Sequence, residues 1–197
     1  MHRLLSMNLN PLTIMTADTG RILIPLARAA IGRGLGHDLP AAADAAWLHA
    51  PGATFVTLTA DGQLRGCIGT LEAHRPLLED VTANAVAAAF RDPRFQPLGR
   101  DEFAAVAIEV SLLSAMEILH TDDEAGALAQ LRPDIDGVVL QYGRHRSTFL
   151  PQVWEKLPDR AEFIAQLKYK AGLPPDFWSS ELKLSRYTVS KWHETDL

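Results

Sequence analysis

The spacing of apolar positions changes several times along the chain, and each change marks a predicted element. Ile22, Leu23, Leu26, Ala30 and Ile31 recur at helical spacing with Arg21, Arg28 and Arg33 between them, which predicts a helix over residues 20–35 ended by Gly34 and Gly36. Pro25 fits best in a first turn, so this helix is expected to begin only near Ile24. A shorter helix is expected over Ala41–His49, closed by Pro51-Gly52. The period then falls to two. Ala53–Ala60 is rich in Phe, Val and Thr, Asp61-Gly62 is a tight-turn dipeptide, and Gln63–Leu71 returns, which is a β-hairpin pattern. Pro76–Arg91 restores the helical stripe through Leu77, Leu78, Val81, Ala85, Ala88 and Ala89, and Pro93 and Pro97 then impose an irregular loop. Ala104–Ser114 alternates: Val106, Ile108, Val110 and Leu112 take one face, and Ala107, Glu109, Ser111 and Leu113 the other, predicting a strand with one buried face.

The second half repeats the mixture. A short helix is expected over Asp123–Leu131, a hairpin from Val138–Tyr142 through Gly143-Arg144 to Arg146–Leu150, and helical turns over Pro151–Leu157 and Arg160–Ala171 with Gly172 as the stop. Leu184–Trp192 alternates again and is expected to be the last strand. Strands arrive in hairpins and not as regular β-α-β crossovers, which predicts an α+β fold with a mainly antiparallel sheet flanked by helices.

Composition narrows the function classes. A chain of 197 residues with 47% hydrophobic and 22% charged side chains is the size of one domain with a real core. The net charge of −5 is unevenly spread: residues 1–143 carry 10 basic and 17 acidic side chains, residues 144–197 carry 9 and 7. That asymmetry suggests an anion-facing patch, but it falls far short of the basic stripe of a nucleic-acid binder. No run approaches the roughly 18 apolar residues needed to span a bilayer, and no signal-peptide core stands at the N-terminus, so a cytoplasmic protein is expected. Cys67, the single cysteine, fits a reducing compartment. The seven histidines show neither i, i+4 pairing nor zinc-finger spacing, and phosphate-loop and dinucleotide glycine patterns are missing, so no metal or cofactor is expected.

The richest chemistry lies in Leu64–Thr70. Strand alternation puts Arg65 and Cys67 on one face and sends Leu64 and Ile68 toward the core. Gly66 and Gly69 clear space next to the sulfur, and a guanidinium beside a thiol favours the thiolate. Two readings stand side by side: Cys67 as a nucleophile with Arg65, Gly66 and Gly69 against a substrate, or a small packed cysteine between glycines that allow close approach. In Phe90–Phe95, Arg94 or Arg91 is positioned to bind an anion or to fix a turn with Asp92. Glu109 shares a half-buried strand face with Ser111, as an orienting acid or base, or as a structural ion-pair partner. Arg144, Arg146 and Thr148 alternate along one face of the second hairpin as a candidate anion-binding row, whereas Lys168 and Lys170 read as surface lysines.

Five segments in order carry a resemblance. Leu64–Thr70 (LRGCIGT), Phe90–Phe95 (FRDPRF), Glu109–Ser114 (EVSLLS), Thr148–Trp154 (TFLPQVW) and Leu167–Leu173 (LKYKAGL) resemble the motifs of the AMMECR domain family over about residues 20–190. Pro151–Glu155 is similar to the bacterial and archaeal form of that family, the AmmeMemoRadiSam system protein A. The resemblance implies an α+β domain over residues 20–192 with a larger lobe and a smaller second lobe, preceded by an extension over 1–19 and followed by a tail over 193–197. It implies partners: a Memo-like protein related to extradiol dioxygenases and a radical S-adenosylmethionine protein. It brings no settled reaction, so an enzyme component acting on a small anionic or aromatic substrate and a non-catalytic scaffold for those partners both remain open. It also points to Arg65 and Cys67 as the lining of a functional cleft.

Overall fold

The computed structural model describes residues 17–37, 39–40 and 44–197. In chain order its helices and strands are α1 (Ala17–Gly34), β1 (Pro51–Gly52), β2 (Thr54–Ala60), β3 (Gln63–Gly69), β4 (Arg75–Pro76), α2 (Leu77–Phe90), β5 (Ala107–Leu113), β6 (Glu117–Ile118), α3 (Glu124–Gln130), β7 (Gly137–Tyr142), β8 (His145–Phe149), α4 (Arg160–Lys170), β9 (Lys183–Tyr187) and β10 (Val189–His193). The fold is α+β, with antiparallel pairing throughout the registered strand pairs. No helix among the described residues is long and apolar enough to cross a membrane. The chain divides into two compact units, one made of residues up to Leu112 with Ser190–Leu197, the other of Leu113–Val189.

The first unit holds a sheet in the order β10-β5-β2-β3, and a two-stranded β1-β4 ribbon. Val56 and Leu58 of β2 and Ile108 and Val110 of β5 are buried with Leu23 and Ile31 of α1 and Val81 and Ala85 of α2 in one apolar cluster. Helix α1 begins earlier than expected and runs through Pro25. An interior proline costs about 3 kcal/mol, but Leu23, Ile24, Leu26 and Ala27 around it are all buried, and each large apolar side chain gives back about 1.5–3 kcal/mol. Of the helix expected at Ala41–His49, residues 41–43 lie outside the described residues, and the rest is one 3-10 turn at Ala46–His49. Asp61 and Gly62 both take positive φ, 50° and 74°, as the two-residue hairpin turn requires. The segment 193–197, expected as a tail, is structured. β10 ends at His193, Glu194–Asp196 forms a 3-10 turn, and Glu194 pairs with Arg28 of α1 while accepting the Ile108 N–H at 3.1 Å.

The second unit holds the sheet β6-β9-β7-β8. Leu140 and Leu184 of that sheet share a core with Trp154 and with Phe163, Ile164 and Leu167 of α4. Trp154 stacks on Phe163 at 3.7 Å, and its indole N–H donates to the Asp136 carbonyl at 2.7 Å. The strand expected over Leu184–Trp192 is two strands in different sheets. Thr188 is the break, and its N–H and C=O bond to Ser114 Oγ and N, each at 2.9 Å. Lys168 is not on the surface as expected. It is fully buried, and its ammonium reaches Glu124 Oε1 at 2.7 Å and the Pro175 carbonyl at 3.1 Å.

Candidate functional site

Strand β3 is the edge of the first sheet, and two features fix its position. Gly66 faces α2: a Cβ there would stand 2.2 Å from the Ala88 carbonyl oxygen, so only glycine lets the helix backbone come this close. The second feature is a bulge. Leu58 pairs with Gly66 and Thr59 with Leu64, leaving Arg65 without a cross-strand partner. The expected alternation therefore breaks at Arg65. Leu64 is set opposite Thr59, away from the core, and is 44% exposed. The Arg65 guanidinium is taken up by Glu102, with Nε to Oε1 at 2.8 Å and Nη2 to Oε2 at 3.0 Å, and its Nη1 is buried without a partner. This pairing holds Glu102 below its usual carboxylate range, helped by the Gly99 N–H. Arg65 is thus not the charge that the sequence places next to the sulfur.

Arg94 is the arginine that reaches Cys67, through its backbone carbonyl. The Cys67 N–H donates to Asp92 Oδ2 at 2.9 Å, and the Cys67 carbonyl accepts from Arg94 Nη2 at 3.1 Å. Asp92 is buried and takes two further bonds from the Arg94 side chain, at 2.9 and 2.7 Å, and one from the Arg94 N–H. The Arg94 guanidinium, with the two N–H groups of Cys67 and Arg94, holds the Asp92 carboxyl far below the ordinary carboxylate range, against the effect of burial. Arg94 in turn is held above the ordinary arginine range by its hydrogen bond to Asp92, against the effect of burial. The loop Asp92–Arg94 stands in for a missing neighbouring strand, satisfying both backbone groups that edge residue Cys67 would otherwise leave open.

The Cys67 side chain is half-buried, and its Sγ accepts from Thr57 Oγ1 at 3.3 Å. In register, Cys67 lies opposite Thr57, and Thr57 opposite Glu109, so the three form a row across β3, β2 and β5 on the face turned away from the core. Glu109 accepts from Ser111 Oγ at 3.2 Å and sits 3.3 Å from His193 Nε2 of β10. Gly69 does not open a pocket for a ligand: a Cβ there would lie 2.2 Å from the Phe55 ring, which covers it. Chemically the row offers a positioned thiol with a hydroxyl donor, a guanidinium beside it, and a carboxylate farther along.

The sequence reading missed a buried polar cluster at the end of β3. Asp80 of α2 is fully buried, and its carboxylate accepts from the Thr54 N–H and hydroxyl, the Thr70 hydroxyl, Arg75 Nε and Asn84 Nδ2 at 2.6–3.0 Å. Asp80 and Asn84 at i, i+4 amid the apolar stripe of α2 are the sequence signal for it. Arg146 and Thr148 lie on β8 in the second unit, where Arg146 is exposed and Thr148 Oγ1 donates to the Val138 carbonyl at 2.9 Å. Thr148 also touches the Tyr187 hydroxyl at 3.2 Å, and burial pushes that phenol's pKa upward. Among the described residues, no three His, Cys, Asp or Glu side chains cluster as metal ligands.

Comparison with known proteins bears on the chain and its fold. The AMMECR1 family model matches residues 24–192. A protein of Methanothermobacter thermautotrophicus is 36% identical over 190 residues, covering 91% of this chain and 96% of the relative. A protein of Saccharolobus solfataricus is also 36% identical, covering 92% and 84%. The crystal structure of an uncharacterized protein from Pyrococcus horikoshii superposes with a TM-score of 0.75 at 32% identity, covering 90% of this chain and 92% of that one.

Proposed function

The chain belongs to the AMMECR1 family, and on that premise we propose that it works as the protein A-type component beside a Memo-like and a radical S-adenosylmethionine protein, presenting a small anionic or aromatic substrate to Cys67. The observation that carries this reading is the clamp on Cys67. Both backbone groups of one residue are held by the Asp92–Arg94 pair, while the sulfur keeps a single hydroxyl contact and partial exposure. Fixing a backbone on both sides pre-organises the side chain it carries, as reactive groups require. Arg94, whose side chain is 53% exposed, takes the anion-binding part first expected of Arg65. Phe55 and Thr57 form the floor of the face beside the thiol. In this reading Glu109 acts as the orienting acid, and Arg146 and Thr148 of the second unit supply no step.

The test is alkylation of the native chain, followed by intact mass, with iodoacetamide and with iodoacetate. One adduct on folded protein is expected. The ratio of the anionic to the neutral reagent should exceed that of the urea-unfolded chain at least about two-fold, because a guanidinium at the thiol draws anions. The Arg94→Gln variant should lose the excess. A thiol that labels only after unfolding sinks the reading.

One observation favours the scaffold alternative: Arg65, Asp92, Arg94 and Glu102 all have intramolecular partners. On that reading Cys67→Ala leaves association with the Memo-like and radical proteins intact on co-purification, and the function of the three together unimpaired.

A further inference from the structure

The face that carries Cys67 extends over three more strands, β2, β5 and β10, and its far side holds ionisable groups that the Cys67 reading leaves unused. Trp192 of β10 packs against Gly20 of α1, so its neighbours Lys191 and His193 take the opposite face by strand alternation. Both are exposed, and His193 meets Glu109 at 3.3 Å. The Lys191 ammonium has no hydrogen-bond or ion-pair partner among the described residues. A cation therefore stands at each end of the row: Arg94 beside β3 and Lys191 on β10. Between them run the thiol, the Thr57 hydroxyl, the Glu109 carboxylate, and the imidazole that meets it.

We propose that His193, held by Glu109, is a second ligand-contacting residue of this face, and that the ligand is a small dianionic acid. One acidic group would lie at Cys67 and Arg94, the other at His193 and Lys191. Strands stand about 4.8 Å apart, so β3 to β10 is three intervals or roughly 14 Å, and His193, by leaning onto Glu109 of β5, shortens the span to roughly 10 Å. A molecule of that length reaches the imidazole that leans onto Glu109. A single carboxylate fills one end of the row and leaves the other end without an acid group. The inference deepens the Cys67 reading and rests on it for one end of the ligand. No bond is made or broken in it: the second acid group accepts hydrogen bonds from the Lys191 ammonium and a His193 ring N–H.

The experiment uses the full chain with 15N-labelled histidine, the His193 ring signals being assigned by their loss in His193→Gln. Suberate, whose carboxylates lie roughly this far apart, is titrated against acetate as the single-charge control. Suberate is expected to shift the His193 signals saturably and, over the same range, to slow Cys67 alkylation several-fold. Acetate is expected to do neither at equal concentration. Lys191→Gln, at an exposed position, should weaken suberate about five-fold, the loss expected of one partly exposed ion pair. Protection of Cys67 with unmoved His193 signals overturns this inference and spares the Cys67 reading. Shifted His193 signals with an unprotected thiol overturn the spanning ligand, and a thiol that also resists alkylation in the native chain overturns the Cys67 reading itself.

Discussion

Replacing Gly66 with alanine adds one methyl group where β3 passes under α2. The new Cβ would lie 2.2 Å from the Ala88 carbonyl oxygen and 3.1 Å from its carbon. Ordinary van der Waals contact begins near 3.4 Å, so strand and helix must separate by about an ångström. The obstacle is helix backbone, with Ala85, Ala88 and Ala89 of that helix face buried, and no side chain can swing aside to relieve it. Overpacking of this kind costs about 1–3 kcal/mol and occasionally more. The entropy lost from the unfolded chain returns about 0.4–1 kcal/mol. A net loss of about 2 kcal/mol is expected, which for a chain of this size lowers the melting temperature by about 4–8 °C. The assay is thermal melting by circular dichroism with urea titration alongside, and Gly62→Ala is the control. Gly62 has nothing within 4 Å of the added Cβ, and only its φ of +74° opposes alanine, so about 1 kcal/mol is expected there. The order of the two variants is the decisive outcome. A Gly66→Ala protein that melts within about 1 °C of the parent would refute the close strand–helix approach as the reason for glycine at this position.

Three further outcomes are expected. Asp92→Asn should destabilise the protein by about 2–4 kcal/mol near neutral pH, because it breaks a buried charge away from Arg94 and weakens the clamp on Cys67. The Asp92 carboxyl is depressed in the folded state, so its contribution is complete above the ordinary aspartate value of about 3.9 and fades as pH falls below it. Urea midpoints of parent and variant should therefore run parallel from pH 7 to about 4 and converge below that. Glu124→Gln should cost about 1–3 kcal/mol by stranding the buried Lys168 ammonium, and adding Lys168→Met should recover most of it, as urea melts of the single and double variants will read. Glu194→Gln should lower the melting temperature by about 2–6 °C, since Glu194 ties the last residues to Arg28 and to the Ile108 N–H. An unchanged melt would mean the last turn is not held by this carboxylate.

The order and type of elements were legible because they depend on local period and local turn chemistry. The stripe of Leu77, Val81, Ala85 and Ala88 makes α2 wherever it sits, and Asp61-Gly62 closes the first hairpin because that dipeptide accepts positive φ at both positions. The five motifs identified the family for the same reason, being short strings read in order. The pairing of Asp92 with Arg94 and the half-buried place of Glu109 also fall within local reach of the sequence.

The candidate site depended on what the chain folds against. A bulge is a mismatch between two strands, so no pattern within Leu64–Gly69 shows that Arg65 leaves the face of Cys67 and that Leu64 joins it. Glu102, 37 residues from Arg65, takes up that guanidinium, while Asp92, 25 residues on from Cys67, holds another against the Cys67 carbonyl. Lys168 reads as a surface lysine until α3 supplies Glu124 from 44 residues away and makes burial of its charge tolerable. The final alternating run is one strand by periodicity, yet it divides at Thr188, whose N–H and C=O both bond to Ser114 outside either sheet. The sequence by itself determined the helices, the hairpins and the family, since each rests on contacts within a few residues. The tertiary structure alone decided which arginine contacts Cys67 and that His193 joins its face, because charge pairing and sheet order are set between segments far apart in the chain.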